Sequence, residues 1–219
     1  MNAASKPTAR SMSYLASWEF AEHFAPESPH ASAARQAAES FEVAPLSPGA
    51  GALLTLLTRL VGARAVVEIG TGSGASGLAL LAGLSGDGVL TSIDTEPEHQ
   101  QLARAAFNAS GVPTRRARLI VGSALSVLPK LTDAAYDVVF ADADPLETVE
   151  YVAQAARLLR PGGLLVVNHA LADGRIADPA NEDDDVVIMR EVLDAVSGME
   201  EFSGVLVPSG EGLLVAARN

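Results

Sequence analysis

One stretch constrains the fold most: Ala65-Val66-Val67-Glu68-Ile69-Gly70-Thr71-Gly72-Ser73-Gly74-Ala75-Ser76-Gly77. A short apolar run meets a glycine cluster, and an apolar segment suited to a helix, Leu78 to Leu84, follows. That order predicts strand, tight turn, helix. Glycines allow positive φ and close approach of backbone to a ligand. The unpaired N–H groups of the helix start then face whatever sits in the turn.

Spacing alone leaves the ligand open. Gly72, Gly74 and Gly77 fit the dinucleotide pattern G-x-G-x-x-G, and Gly70, Gly72 and Ala75 fit its looser form. Glu68, two residues before the first glycine, separates the readings. A carboxylate beside the turn repels a pyrophosphate and attracts an ammonium group. S-adenosylmethionine (SAM) carries an ammonium and a sulfonium and no phosphate. The E-x-G-x-G-x-G string therefore resembles motif I of the class I SAM-dependent methyltransferases.

The rest of the chain alternates strand and helix signals. Ser13 to Ala44 reads as two helical segments broken near Pro26 and Pro29, and residues 1–12 as frayed. Tyr14, Trp18 and Phe20 suit either an interface or lid, or padding of the outer face. Pro45 to Pro48 is a boundary, with Ser47 placed to cap a helix carrying Leu53, Leu54, Leu57, Leu60 and Val61. Further strands are expected at Val89–Ile93, Arg118–Val121, Tyr136–Ala141 and Leu164–Val167. Helices are expected over 96–110 (Leu102, Ala105 and Ala106 inward), 126–131, 146–159 and 186–197, with Arg160-Pro161-Gly162-Gly163 as a turn. Phe202–Val207 and Leu213–Ala217 form a terminal hairpin through Pro208-Ser209-Gly210-Glu211-Gly212. The fold class is α/β: a Rossmann-like, doubly wound, mostly parallel seven-stranded sheet with an antiparallel C-terminal edge hairpin. Ligands in such sheets bind beyond the carboxyl ends of the strands. Glu68, Asp94, Asp142, Asn168 and His169 all fall at such ends. Asp94, twenty residues past Gly74, suits ribose hydroxyls in a nicotinamide or a SAM site alike.

Composition narrows the partners. The net charge is −12, and Arg115, Arg116 and Arg118 form the one basic cluster, read as a solvated loop. This disfavours nucleic acid and favours a small-molecule substrate. The chain has no cysteine, which excludes disulfides and a thiolate nucleophile. No apolar run is long enough for a membrane span and no secretory signal is visible, so the expected location is cytoplasmic.

From Leu46 to the C-terminus the chain resembles the catechol O-methyltransferase-like family of small bacterial O-methyltransferases. The matching pieces are Val67 to Gly72, Asp94, Asp142-Ala143-Asp144, Leu158 to Gly163 and the loop Leu171 to Pro179. The resemblance implies a SAM-binding domain over 46–219 and a helical extension over 1–45 that forms lid and dimer contacts. It implies a homodimer, with SAM as cofactor and S-adenosylhomocysteine as product. Leu46 would lie against the methionine end, and Glu68 would bind the ammonium directly or through backbone or water. Gly70, Thr71 and Gly72 would line the turn, and Ser76 would bind the carboxylate. Asp94 would hold the ribose, with Thr95, Ser123 and Ala124 around the adenine. Asp142 and Asp144 would lie between cofactor and acceptor.

The family holds a divalent cation through the Asp142 position and an Asp-Asn pair after the fifth strand. Here that pair is Asn168-His169, a set that favours a transition metal or no metal. The family's lysine stands at Pro145 and its loop aromatic at Ala172. His169 is open to three readings: metal ligand, general base, or structural histidine. Asp142 and His169 are the candidate catalytic residues. The expected activity is methyl transfer to a hydroxyl of a small molecule, with aromatic acceptors as one option. The alternatives are a SAM-binding protein that has lost catalysis and an NAD(P)-dependent oxidoreductase.

Overall fold

Seven apolar segments pair into one sheet, in the order β3-β2-β1-β4-β5-β7-β6. The structure is a computed structural model that describes residues 9–41 and 44–219. The strands are β1 (Ala65–Ile69), β2 (Val89–Asp94), β3 (Ala117–Val121), β4 (Tyr136–Ala141), β5 (Leu159–Val167), β6 (Phe202–Val207) and β7 (Leu213–Arg218). The helices are α1 (Ala9–Glu22), α2 (Pro29–Ala38), α3 (Pro48–Leu60), α4 (Ala75–Gly83), α5 (Pro97–Ala109), α6 (Ala124–Val127), α7 (Thr148–Leu158) and α8 (Asp184–Gly198). Strands β1 to β5 run parallel, and β7 alone runs antiparallel to its neighbours, inserted between β5 and β6.

Side chains alternate across the central strands, as the two-residue period requires. Val67, Ile69, Val139, Ala141, Leu165 and Val167 pack with residues of α6, α7 and α8. Val66, Val138, Phe140, Leu164 and Val166 pack with residues of α2 to α5. Both faces are covered, which is why these strands read as unbroken apolar runs. A fully buried side chain such as Phe140 contributes about 1.5–3 kcal/mol. Glu68 falls on the α4 side by the same alternation.

Several boundaries and faces differ from the sequence reading. Of the stretch expected to fray, residues 1–8 lie outside the described residues, and α1 already begins at Ala9. Pro29 starts α2 at its first position, and Ser28 caps it by accepting from the Ala31 N–H at 3.1 Å. In α3 the buried face is Ala50, Leu54 and Thr58, whereas Leu60 is 71 % exposed and Val61 lies past the helix end. In α5 the inner face is Gln100, Ala103 and Phe107, one position away from the expected set. A polar inner residue and a run of alanines hid that face from periodicity. Residues 160–163 belong to β5 as a bulge: Tyr136 pairs with Leu159, then Val138 with Leu164. The arginine cluster is not a solvated loop throughout. Arg116 donates to the Gly88 carbonyl at 3.1 Å and reaches those of Leu81 and Leu84.

Among the described residues no helix is long and apolar enough to cross a membrane.

Candidate functional site

The turn after β1 is shaped by contact with β4. Gly70 has φ +89°, and a Cβ there would overlap the Asp142 carbonyl. Gly74, at φ +87°, starts α4, and a Cβ there would lie 2.8 Å from the backbone of Ala103. The first-turn N–H groups of α4 have no partner within the helix and open onto the turn. Asp94 holds the loop shut: its Oδ2 accepts from the N–H groups of Thr71 (2.9 Å) and Gly72 (3.0 Å). Its Oδ1 accepts from the Glu96 N–H at 2.9 Å, and His99 Nδ1 lies 3.2 Å from both oxygens.

Glu68 is fully buried among hydroxyls. Ser76 Oγ lies 2.7 Å from one oxygen and Ser92 Oγ 2.5 Å from the other. Thr71 Oγ1 touches Ser92 Oγ at 2.6 Å, and Gln100 donates to Thr71 Oγ1 at 2.8 Å. Burial raises the Glu68 carboxyl to about 8, against the two serine hydroxyls that favour its charged form. No atom of Glu68 meets solvent, so a cationic ligand reaches it only through its neighbours. The Ser76 hydroxyl is committed to Glu68, which leaves the backbone N–H of Ser76 for an anion.

Three cavities meet at the strand ends. The first, about 330 Å³, runs past Gly70, Asp94, Thr95, His99, Ser123, Ala124 and Asp144. A smaller one, about 40 Å³, is walled by Leu46, Thr71, Gly72 and Ser76. The third, about 240 Å³, is lined by Pro145, Thr148, Asn168, His169, Ala172 and Met189. Asp142 lines all three. Asp144 is exposed and caps the short turn 145–147 by accepting from the Leu146 N–H at 2.9 Å.

At the junction, Asp142 Oδ1 accepts from Asn168 Nδ2 at 3.0 Å and faces His169 Nε2 at 3.1 Å. His169 Nδ1 pairs with the Glu211 carboxylate. His169 itself takes φ +57°, a conformation uncommon for a side-chain-bearing residue. Burial pushes its imidazole down, but Asp142 and Glu211 more than offset this and hold it at about 9. Both ring nitrogens point at carboxylates and both act as donors, so at neutral pH His169 is a cation. The raised imidazole weighs against the general-base reading and favours His169 as a charged partner of Asp142. A hard divalent ion does not fit here either. Such an ion needs several free oxygen donors, whereas the Asn168 amide N–H and the His169 imidazole both face Asp142 Oδ1 and leave Oδ2 as its one open oxygen. Among the described residues no three Asp, Glu or His side chains are arranged to hold a metal.

The fold agrees with that of known proteins. The sequence profile described as O-methyltransferase matches residues 26–219. The chain belongs to the O-methyltransferase family. A relative from Mycolicibacterium vanbaalenii is 47 % identical over 97 % of this chain and 94 % of its own length. One from Mycobacterium avium is 49 % identical over 85 % of this chain and 84 % of its own. Both carry O-methyltransferase as a provisional name. Among solved structures, a Corynebacterium glutamicum protein superposes with a TM-score of 0.86 at 31 % identity, covering 95 % of this chain and 97 % of that one. The O-methyltransferase TomG of Streptomyces achromogenes, solved in complex with SAM, gives 0.80 at 31 % identity, covering 92 % and 94 %.

Sequence reasoning missed four polar residues at this O-methyltransferase's site. His99 was hidden inside a helix read for its apolar face. Glu211 sits in a hairpin loop whose Ser-Gly-Glu-Gly composition signals a turn and nothing more. Arg175, bound to Asp185 at 2.6 Å and Asp183 at 3.0 Å, closes the far side of the third cavity with Asp185.

Proposed function

We propose that the chain transfers a methyl group from S-adenosylmethionine to a hydroxyl of a small molecule, without a divalent metal. The observation that carries this reading is Asp142, which lines all three cavities at once. The first cavity suits the adenosine, with Asp94 and His99 toward the ribose and Thr95, Ser123 and Ala124 beside the base. The second suits the amino-acid end, with Leu46 against it and the start of α4 toward the carboxylate. There Gly70, Thr71 and Gly72 line the turn, and Glu68 acts through Ser76. The third takes the acceptor, and Asp142 and Asp144 flank the passage between them.

When bound, the cofactor supplies an electrophilic methyl group. The chain's own work is to bring the acceptor oxygen into line with it and to manage a proton. Asp142 accepts the hydrogen bond of the acceptor hydroxyl and takes its proton. His169, fixed between Asp142 and Glu211, offsets the negative charge that grows on the oxygen. Pro145 stands where the family has a lysine, so no ammonium group helps ionise the hydroxyl. This favours acceptors that ionise readily, such as phenols. Ala172, Met189 and Thr148 form part of the wall of this cavity. The exposed apolar face of α1 supports a second copy of the chain as partner.

The test is calorimetry with S-adenosylhomocysteine, then methyl transfer to a panel of phenols with and without EDTA. Binding with turnover that survives EDTA is the expected result. Failure to bind overturns the cofactor reading, and turnover abolished by EDTA and restored by Mg²⁺ overturns the metal-free one. Binding without turnover on any acceptor favours a protein that has lost catalysis.

A further inference from the structure

The N-terminal segment carries a buried acid that methyl transfer leaves unused. Glu22, the last residue of α1, lies before the span 26–219 that the family profile matches. It is 4 % exposed. Its Oε2 accepts from Ser47 Oγ at 2.6 Å and the Gly49 N–H at 3.1 Å. Its Oε1 accepts from Ser209 Oγ at 2.8 Å and the Gly210 N–H at 2.8 Å. One oxygen serves the start of α3, and the other serves the loop between β6 and β7. The fit is close: a Cβ on Gly49 would come within 2.6 Å of Glu22 Oε2. Burial alone would raise this carboxyl, but the four donors hold it below the usual range.

Each tethered loop carries a site residue next to its tether. Leu46 precedes Ser47 and walls the second cavity. Glu211 follows Gly210 and pairs with His169. We propose that Glu22 is a positioning residue that locks the Leu46 wall and the Glu211-bearing loop in register, and so fixes His169 and the cofactor cleft. What the cleft binds rests on the methyl-transfer reading; the coupling to His169 does not. A carboxylate that merely anchored α1 would change stability and leave the site alone.

Trp18, the sole tryptophan, lies one turn earlier and donates to the Pro208 carbonyl at 3.2 Å. It reports optically on the docking of α1 onto the same loop. The experiment compares the full chain with Glu22→Gln and Ser209→Ala. Glutamine keeps the shape but turns an N–H₂ group toward one loop, leaving a backbone N–H without its acceptor. For Glu22→Gln, S-adenosylhomocysteine affinity is expected to fall about tenfold and kcat with it. Trp18 emission is expected to shift to the red and the His169 imidazole ¹⁵N resonances to move. Ser209→Ala loosens one arm and should move the His169 resonances with a smaller loss of affinity. Unchanged affinity and unchanged His169 resonances in a folded variant overturn the proposal, whatever happens to the Tm. Should Glu22→Gln not fold, the same readouts on Ser209→Ala decide. If the unaltered protein does not bind S-adenosylhomocysteine, the methyl-transfer reading fails. The His169 resonances then decide the role of Glu22 by themselves.

Discussion

Glu68 sits inside the protein with serine hydroxyls on both oxygens, and burial lifts its carboxyl from 4.5 to about 8. The folded state therefore holds this proton more tightly than the unfolded chain. The stabilisation linked to it is fully present below about pH 4.5 and is lost as pH rises through about 8. Glu68→Gln keeps the shape and removes the titration. Thermal unfolding should show the variant close to the original protein at pH 6 and gaining on it at pH 9. His169 gives the matching prediction for rate. Its imidazole is held at about 9, so kcat with a phenolic acceptor should fall as pH rises through that value. His169→Asn should lower kcat about 10²-fold, remove that limb of the profile and leave S-adenosylhomocysteine affinity within about threefold. The Asn168-His169 pair at the end of β5 was legible in the sequence. The charge on the imidazole was not, because it comes from Asp142 and then Glu211 facing its two nitrogens, and no local spacing announces the Glu211 contact.

The strand–turn–helix unit was legible because glycine chemistry and apolar runs are local signals. Gly70 shows how narrow the tolerance is. Its φ of +89° and its contact with Asp142 leave no space for a methyl group. Gly70→Ala should cost about 2–4 kcal/mol in denaturant unfolding and weaken S-adenosylhomocysteine binding together. The opposite end of the sheet offers a contrast. Asp137 Oδ2 accepts from the N–H groups of Arg64 (2.7 Å) and Ala65 (2.8 Å), and its Oδ1 from Arg160 Nε at 2.6 Å. Burial works against its charge, but these donors hold the carboxyl below its usual range. That support is present above about pH 3.8 and is lost as pH falls through the lower folded value. Asp137→Ala should cost about 2–4 kcal/mol by chemical denaturation and leave ligand affinity unchanged, since it lies at the amino end of β4. The β5 bulge beside it escaped the sequence reading. Arg-Pro-Gly-Gly has turn composition, and only the pairing of Leu159 with Tyr136 keeps it in the sheet.

At the scale of the whole molecule, α1 and the residues just after it expose several aromatic side chains. Phe20 is 73 % exposed and Phe24 78 %, with Tyr14, Leu15 and Trp18 beside them in sequence and also open. Tyr14, Leu15 and Trp18 share one side of α1, and exposed apolar groups gathered in this way favour an interaction site. Light scattering is expected to give a dimer, and Phe20→Glu combined with Phe24→Glu should shift it toward monomer. The sheet order has a consequence in time. β6 precedes β7 in the chain, yet β7 is its sole ladder partner and stands between it and β5. β6 therefore joins the sheet only through β7, and a preformed β6–β7 hairpin is the simplest way to add both. Glu211 and the Pro208 carbonyl travel with it. During refolding, Trp18 emission and ligand binding should recover after the far-ultraviolet signal of the helices. Competence to bind would then be the last property the chain acquires, and the first it surrenders when the hairpin lifts away.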